Sequence, residues 1–172
     1  NEAVTGLPSA ERTGAWKAPV CRARQRSPEG CSMAETILIV DDDAANRELL
    51  EAILTAAGYG VEQADGGAAA LARMDVAPPD LILLDLRMPG MSGLEVCRRL
   101  KQDSATAGLP IIVVTAAGEI THKEAALASG ADDFVTKPVD AEDLRTRVEA
   151  MLKVRRIRHD LDRTLAYLHE LE

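Results

Sequence analysis

Aromatic residues are almost missing from this 172-residue chain, which has one Phe, one Trp and two Tyr. Its core must therefore be assembled from Leu, Ile, Val and Ala. Long apolar runs are missing as well. None approaches the roughly 20 residues that a membrane-spanning helix needs, and the start carries no apolar segment of signal-peptide type, which points to the cytoplasm and away from a membrane. Cysteine is scarce and odd in number: Cys21, Cys31 and Cys97 form no CxxC pair, so they read as free thiols rather than a disulfide framework or thiolate metal site. The three His residues show no metal-ligand spacing, and Gly66-Gly67 lacks the following Lys-Ser/Thr of a phosphate loop. Positive charge is in deficit, with a net of −8. Phosphate contacts require Lys and Arg, so no direct DNA binding is expected.

The charge is also uneven. Residues 1–32 hold five Lys/Arg against three Glu, a net of +2, which leaves −10 for the remainder. That leading segment has three prolines, three glycines and no periodicity. It buries too little surface to offset its ordering entropy. We expect residues 1–34 to be a disordered or non-native segment, with Met33 a natural start just before the first strand.

From Thr36 onward the pattern alternates between strands and helices. Ile37–Val40 reads as a short buried strand. A helix follows to Ala57, with Leu49, Leu50, Ile53 and Leu54 on one face and Gly58 just past its end. Val61–Ala64 is a weaker second strand, Gly67–Met74 a short helix, and Leu81–Leu84 a third strand. Ser92 caps a helix to about Gln102, with Glu95 completing a capping box. Ile111–Val114 is the fourth strand, 119–129 a helix closed by Gly130, and Asp133–Thr136 the fifth strand. Asp140 opens a final long helix. Strands apolar on both faces and alternating with helices imply a parallel sheet covered on both sides. The expectation is an α/β, flavodoxin-like, doubly wound five-stranded sheet of order 2-1-3-4-5. Ligands should then sit beyond the carboxyl ends of the strands.

Those ends carry the chain's chemistry. One strand delivers Asp41-Asp42-Asp43, another Asp85, a third Thr115 and the last Lys137. Acid, acid, hydroxyl and ammonium in one place suit phosphoryl transfer. Taken singly, Asp41–Asp43 would read as a helix N-cap with dipole-favoured acids, and that reading is retained for Asp43. Jointly, Ile-Leu-Ile-Val-Asp-Asp-Asp at 37–43, Asp-Leu-Arg-Met-Pro-Gly-Met-Ser-Gly at 85–93, Val-Val-Thr-Ala at 113–116 and Phe-Val-Thr-Lys-Pro at 134–138 resemble the receiver domain of two-component response regulators, over about residues 35–153.

The resemblance implies that Asp85 is the phosphoacceptor, a carboxylate nucleophile that forms an aspartyl phosphate. It implies Mg²⁺ held directly by Asp42 and Asp85, with Asp41 close or acting through water, and by the main-chain carbonyl of Arg87. Lys137 would offset charge on the phosphoryl group, and Thr115 would donate to it. Thr115 and Phe134 would form the switch, and the Lys137–Pro138 bond would be cis. Arg87 departs from the shorter residues often found at its position, which leaves the dephosphorylation rate open. Expected partners are a sensor histidine kinase or phosphotransfer protein and a downstream protein target. The protein would be regulatory, catalysing only its own phosphorylation and dephosphorylation.

Past Pro138 the chain has no Gly or Pro, and apolar residues recur at 144, 148, 151, 154, 157, 161, 165, 168 and 171. Such spacing marks one helical stripe. A helix from Asp140 to Glu172 would be roughly 45–50 Å long. Its part at 154–172 is expected to project as an amphipathic, coiled-coil-forming helix, with a homodimer through 140–172. Lys153, Arg155, Arg156 and Arg158 read as a solvated face. Two rivals remain: a phosphorylation-independent adaptor, and the receiver piece of a larger signalling enzyme such as a cyclase, phosphodiesterase or kinase. A haloacid-dehalogenase-like phosphatase needs a second Asp where Arg87 stands.

Overall fold

A computed structural model describes residues 34–116 and 120–170. The expected tail at 1–34 and the expected helix start at 119 therefore fall largely outside the described residues. Five strands alternate with five helices: β1 (Thr36–Val40), α1 (Ala44–Ala56), β2 (Gly60–Ala64), α2 (Gly67–Val76), β3 (Leu81–Asp85), α3 (Gly93–Gln102), β4 (Ile111–Ala116), α4 (Ile120–Ala128), β5 (Asp133–Lys137) and α5 (Ala141–His169). All neighbouring strands pair in parallel, in the order 2-1-3-4-5. That is the flavodoxin-like architecture the alternating pattern implied.

The strand sequences explain the layering. Side chains alternate between faces, so Leu38, Val40, Ile82 and Leu84 join one core with α2, α3 and α4. Ile37, Ile39, Leu81 and Leu83 join a second core with α1 and α5. The central strands are thus apolar on both faces, whereas β2 and β5 at the edges carry half-buried polar residues such as Glu62, Gln63 and Asp133.

Two local expectations need correction. Leu50 and Leu54 of α1 are buried, but Leu49 is 52% exposed. One residue turns a helix by about 100°, which carries Leu49 off the sheet-facing stripe. The capping box of α3 is half made. Ser92 Oγ accepts from the Glu95 amide at 3.4 Å, but the Glu95 carboxylate pairs forward with Arg98 and Arg99 at 3.0 and 2.8 Å. At the end of α1, Gly58 adopts φ 91°, a conformation that side-chain-bearing residues rarely adopt. Cys97 is buried and its Sγ donates to the Ser129 carbonyl at 3.4 Å. Burial pushes its pKa up, in keeping with an inert thiol.

The basic run on α5 is not simply solvated. Arg155 pairs with Asp80 and Arg156 with Glu35, the latter through two bonds of 2.7 Å. Asp80 also accepts from the Thr36 amide at 2.8 Å, so one carboxylate ties the starts of β1 and β3 to α5. The helix therefore stays tethered to about Arg156, slightly beyond the expected limit at 153. Beyond it, Ile157, Leu161, Leu165 and Leu168 are exposed. Asp80→Ala orphans the Thr36 amide and frees Arg155, and we expect a loss of about 1–3 kcal/mol in urea unfolding. An unchanged midpoint would show the clasp to be ornamental.

Candidate functional site

Each polar group is delivered by a strand that runs out of core. β1 ends at Val40 and passes Asp41, 1% exposed, into the turn before α1. β3 ends on Asp85, 7% exposed, and β5 on Lys137. Parallel strands all finish at one edge, so these side chains converge. Lys137 Nζ lies 3.2 Å from Asp41 Oδ2 and 3.2 Å from Asp85 Oδ1. Carboxylate oxygens of Asp41, Asp42 and Asp85 fall within 4.8 Å of one another. An open cleft of about 250 Å³ lies over them, also lined by Arg87, Asn46 and Ala116.

The other expected residues sit differently. Thr115 is adjacent in register, since Asp85 pairs with Val114 and Thr115 with Thr136. It is only 2% exposed, however, and on β4 the cleft is lined by Ala116. Phe134 stands three residues before Lys137, half-buried against the α2–α4 core and outside the cleft. Asp43 is an N-cap, its side chain accepting from the Ala45 amide at 2.9 Å. The Lys137–Pro138 bond is cis.

The loop that carries the acids is held from behind by residues that sequence reading did not single out. Arg47 donates to the Asp41 carbonyl at 2.7 Å and to Gln63 Oε1 at 3.1 Å, and Gln63 donates to Glu51 at 2.6 Å. The Asp43 amide donates to Asp41 Oδ1 at 2.8 Å. Arg47 and Glu51 are one helical turn apart, a spacing that reads equally well as an ordinary surface pair.

The electrostatics follow from crowding. Burial raises the Asp85 pKa, Lys137 opposes this, and the carboxylates of Asp41 and Asp42 add to it. For Lys137, burial works against the charged form, but Asp85 and Asp41 outweigh it and its pKa rises. Three carboxylates against one ammonium leave an excess negative charge on hard oxygen donors, a set that fits a divalent cation of the Mg²⁺ kind.

A raised carboxylate pKa has a definite sign. The contribution of Asp85 to stability is fully present below its unfolded pKa and is lost as pH rises through the higher folded value. Without divalent ions, Asp85→Asn should therefore melt above wild type at neutral pH, and the gap should close on acidification. A variant that melts lower at neutral pH would contradict this charge balance.

Residues 37–149 match the family model of the response regulator receiver domain. The chain belongs to this family. As a receiver it is 45% identical over 117 residues to the DNA-binding dual master transcriptional regulator RpaA of Synechocystis, covering 68% of this chain and 48% of that protein. It is 44% identical over 129 residues to the response regulator PleD of Caulobacter vibrioides, covering 75% of this chain and 28% of PleD. Among solved structures, the receiver is similar to the chemotaxis protein CheY4 of Vibrio cholerae, at 31% identity and TM-score 0.65, covering 69% of this chain and 98% of that one. It is also similar to the receiver domain of a signal transduction histidine kinase from Syntrophus aciditrophicus, at 36% identity and TM-score 0.66, covering 70% and 91%. The chain spans about half the length of curated relatives such as RpaA.

Proposed function

We propose that this receiver is a phosphorylation switch in a cytoplasmic two-component system. The Asp85 carboxylate attacks the phosphoryl group of a phosphohistidine, on a sensor kinase or phosphotransfer protein. As the aspartyl O–P bond forms, the histidyl P–N bond breaks and the imidazole leaves. The observation that carries the reading is Lys137 Nζ, set 3.2 Å from both Asp41 and Asp85 inside an open acidic cleft. That ammonium is in place to offset charge on the incoming group. Asp41, Asp42, Asp85 and the Arg87 carbonyl would hold Mg²⁺, which supplies the positive charge that brings two anions together.

Thr115 is covered in the resting state. Its hydroxyl reaches a phosphoryl oxygen only when the end of β4 shifts, and in this reading that shift draws Phe134 after it. The output is protein contact, through the face formed by α4, β5 and α5 and through the exposed stripe of α5. A second copy of the chain is one partner for that stripe. The role is regulation, with catalysis confined to the protein's own phosphorylation and dephosphorylation.

Intact-protein mass after incubation with acetyl phosphate tests this reading. We expect a gain of about 80 Da, one phosphoryl group, with Mg²⁺ and none with EDTA. No gain with Mg²⁺ and folded protein would leave the phosphorylation-independent adaptor in its place. Mg²⁺ at about 100 times its Kd should also raise the melting temperature of wild type by on the order of 5–10 °C, and that of Asp42→Asn far less.

A second reading is favoured by the partial coverage of the relatives and by α5 running for 29 residues. In it, the same switch serves as the receiver segment of a larger signalling protein, with α5 as the connecting helix.

A further inference from the structure

Phe134 and Arg147 lie on opposite sides of the sheet, yet they meet. The ring of Phe134 packs with the core shared by α2, α3 and α4. Arg147 stands on α5, whose Leu144, Val148 and Leu152 fill the other core. β5 is an edge strand, so an α5 side chain can pass round it. Arg147 does so. Its Nη1 donates to both carboxylate oxygens of Asp133, at 2.8 and 2.9 Å, and the guanidinium carbon lies 5.9 Å from the centroid of the Phe134 ring. Asp133 in turn accepts from the Phe134 amide at 2.8 Å, while Asp143 fixes the other edge of the guanidinium through Arg147 Nε at 2.9 Å.

One guanidinium therefore engages Phe134 twice, through its backbone by way of Asp133 and through its ring face. A planar cation clamped between two carboxylates, by Nη1 at Asp133 and Nε at Asp143, and set over a ring is a directional contact that an ammonium would not reproduce. The same residue belongs to the helix that leaves the domain with an exposed apolar stripe. Movement of the ring cannot occur without breaking or carrying along a contact to α5.

We propose that Arg147 is the positioning residue for Phe134, holding the ring in its resting place and linking its movement to α5. The proposal rests on the reading of Phe134 as part of the switch. It adds the side chain that sets the resting state and the route by which that state reaches the projecting helix. In this arrangement Arg147 has no part in accepting the phosphoryl group. Losing it should move the ring while leaving the chemistry at Asp85 intact.

The chain's only phenylalanine is Phe134, so isotope-labelled phenylalanine gives a single ring to follow by NMR in the full chain. The ring would be observed in wild type, Arg147→Gln and Arg147→Lys, each before and after acetyl phosphate with Mg²⁺. Intact mass would give phosphoryl uptake in the same samples. We expect wild type to show a ring shift on phosphorylation. In Arg147→Gln the unphosphorylated ring should already be displaced toward the phosphorylated position or broadened by exchange, with uptake unchanged. Arg147→Lys, which retains charge without the clamp between Asp133 and Asp143, should fall between the two and guards against misreading a folding defect.

Ring signals in both variants that coincide with wild type before phosphorylation would overturn the positioning role. A wild-type ring that stays put while Asp85 is phosphorylated would instead remove Phe134 from the switch, and the link with it. No uptake in wild type would fail the phosphorylation reading itself, a separate result visible in the mass alone.

Discussion

Gly93→Ala is expected to remove a large fraction of the domain's stability and to impair phosphoryl uptake at Asp85. A Cβ at position 93 would lie 2.2 Å from the Asp85 carbonyl oxygen, 2.8 Å from Leu86 Cα and 3.0 Å from the Asp85 carbonyl carbon. All three are backbone atoms, so no rotamer change relieves the clash. The Gly93 amide also donates to the Leu86 carbonyl at 3.0 Å, which draws the two segments together. Either the start of α3 must lift or the Asp85–Leu86 backbone must shift. Overpacking commonly costs about 1–3 kcal/mol, and a backbone-on-backbone clash belongs at or above the upper end. Against a typical total of about 5–15 kcal/mol, that is a large fraction. Gly108→Ala is the control, since nothing lies within 4 Å of its added Cβ and its backbone is unstrained. Urea unfolding of the two variants should separate them clearly. Equal midpoints would mean that the close approach of α3 to Asp85 is not real.

Lys137→Met should be nearly as damaging, for an electrostatic reason. Removing the ammonium leaves Asp41, 1% exposed, facing Asp85 and Asp42 without the cation that bridges them. Breaking a buried pair costs about 3–5 kcal/mol. The Lys137 side chain is 29% exposed, which places the expected loss near the lower end. The catalytic loss should exceed the structural one. A positioned donor to a developing oxyanion is worth roughly 10²–10³ in rate, and uptake from acetyl phosphate should slow by that order. Lys137→Arg keeps the charge in a larger planar group, so it should recover stability more fully than uptake. Full uptake by Lys137→Met would show that the ammonium is a structural counter-ion only.

Much of this architecture was legible because local signals agreed with one another. The apolar runs of β1 and β3 each stop at an acid, so these strands and their carboxylates could be placed from runs of a few residues. Asp43, Asp140 and Gly58 marked helix ends for reasons that operate within one turn. What stayed hidden depends on residues far apart in sequence. Nothing near Gly93 announces that its missing Cβ makes room for Asp85. Arg47, Gln63 and Glu51 look like solvent-facing polar residues until β2 and α1 are brought side by side. Asp80 and Glu35 become partners of Arg155 and Arg156 only once α5 is laid across the sheet. Leu49 was misplaced because a two-turn apolar stripe leaves its angular centre uncertain by one residue. Thr115 could be placed at the end of β4 but its burial could not, since a strand-end register fixes neighbours and not which side chain faces the cleft.

The most direct test of the central claim is to locate the phosphoryl group chemically. An acyl phosphate on a carboxylate is reduced by borohydride to an alcohol, which marks the acceptor permanently for peptide mass mapping. Protein phosphorylated with acetyl phosphate and Mg²⁺, then reduced and digested, should carry the mark at position 85 and nowhere else. Modification at Asp41, Asp42 or a hydroxyl residue, or an unmarked position 85 in protein that has gained a phosphoryl mass, would contradict Asp85 as the acceptor.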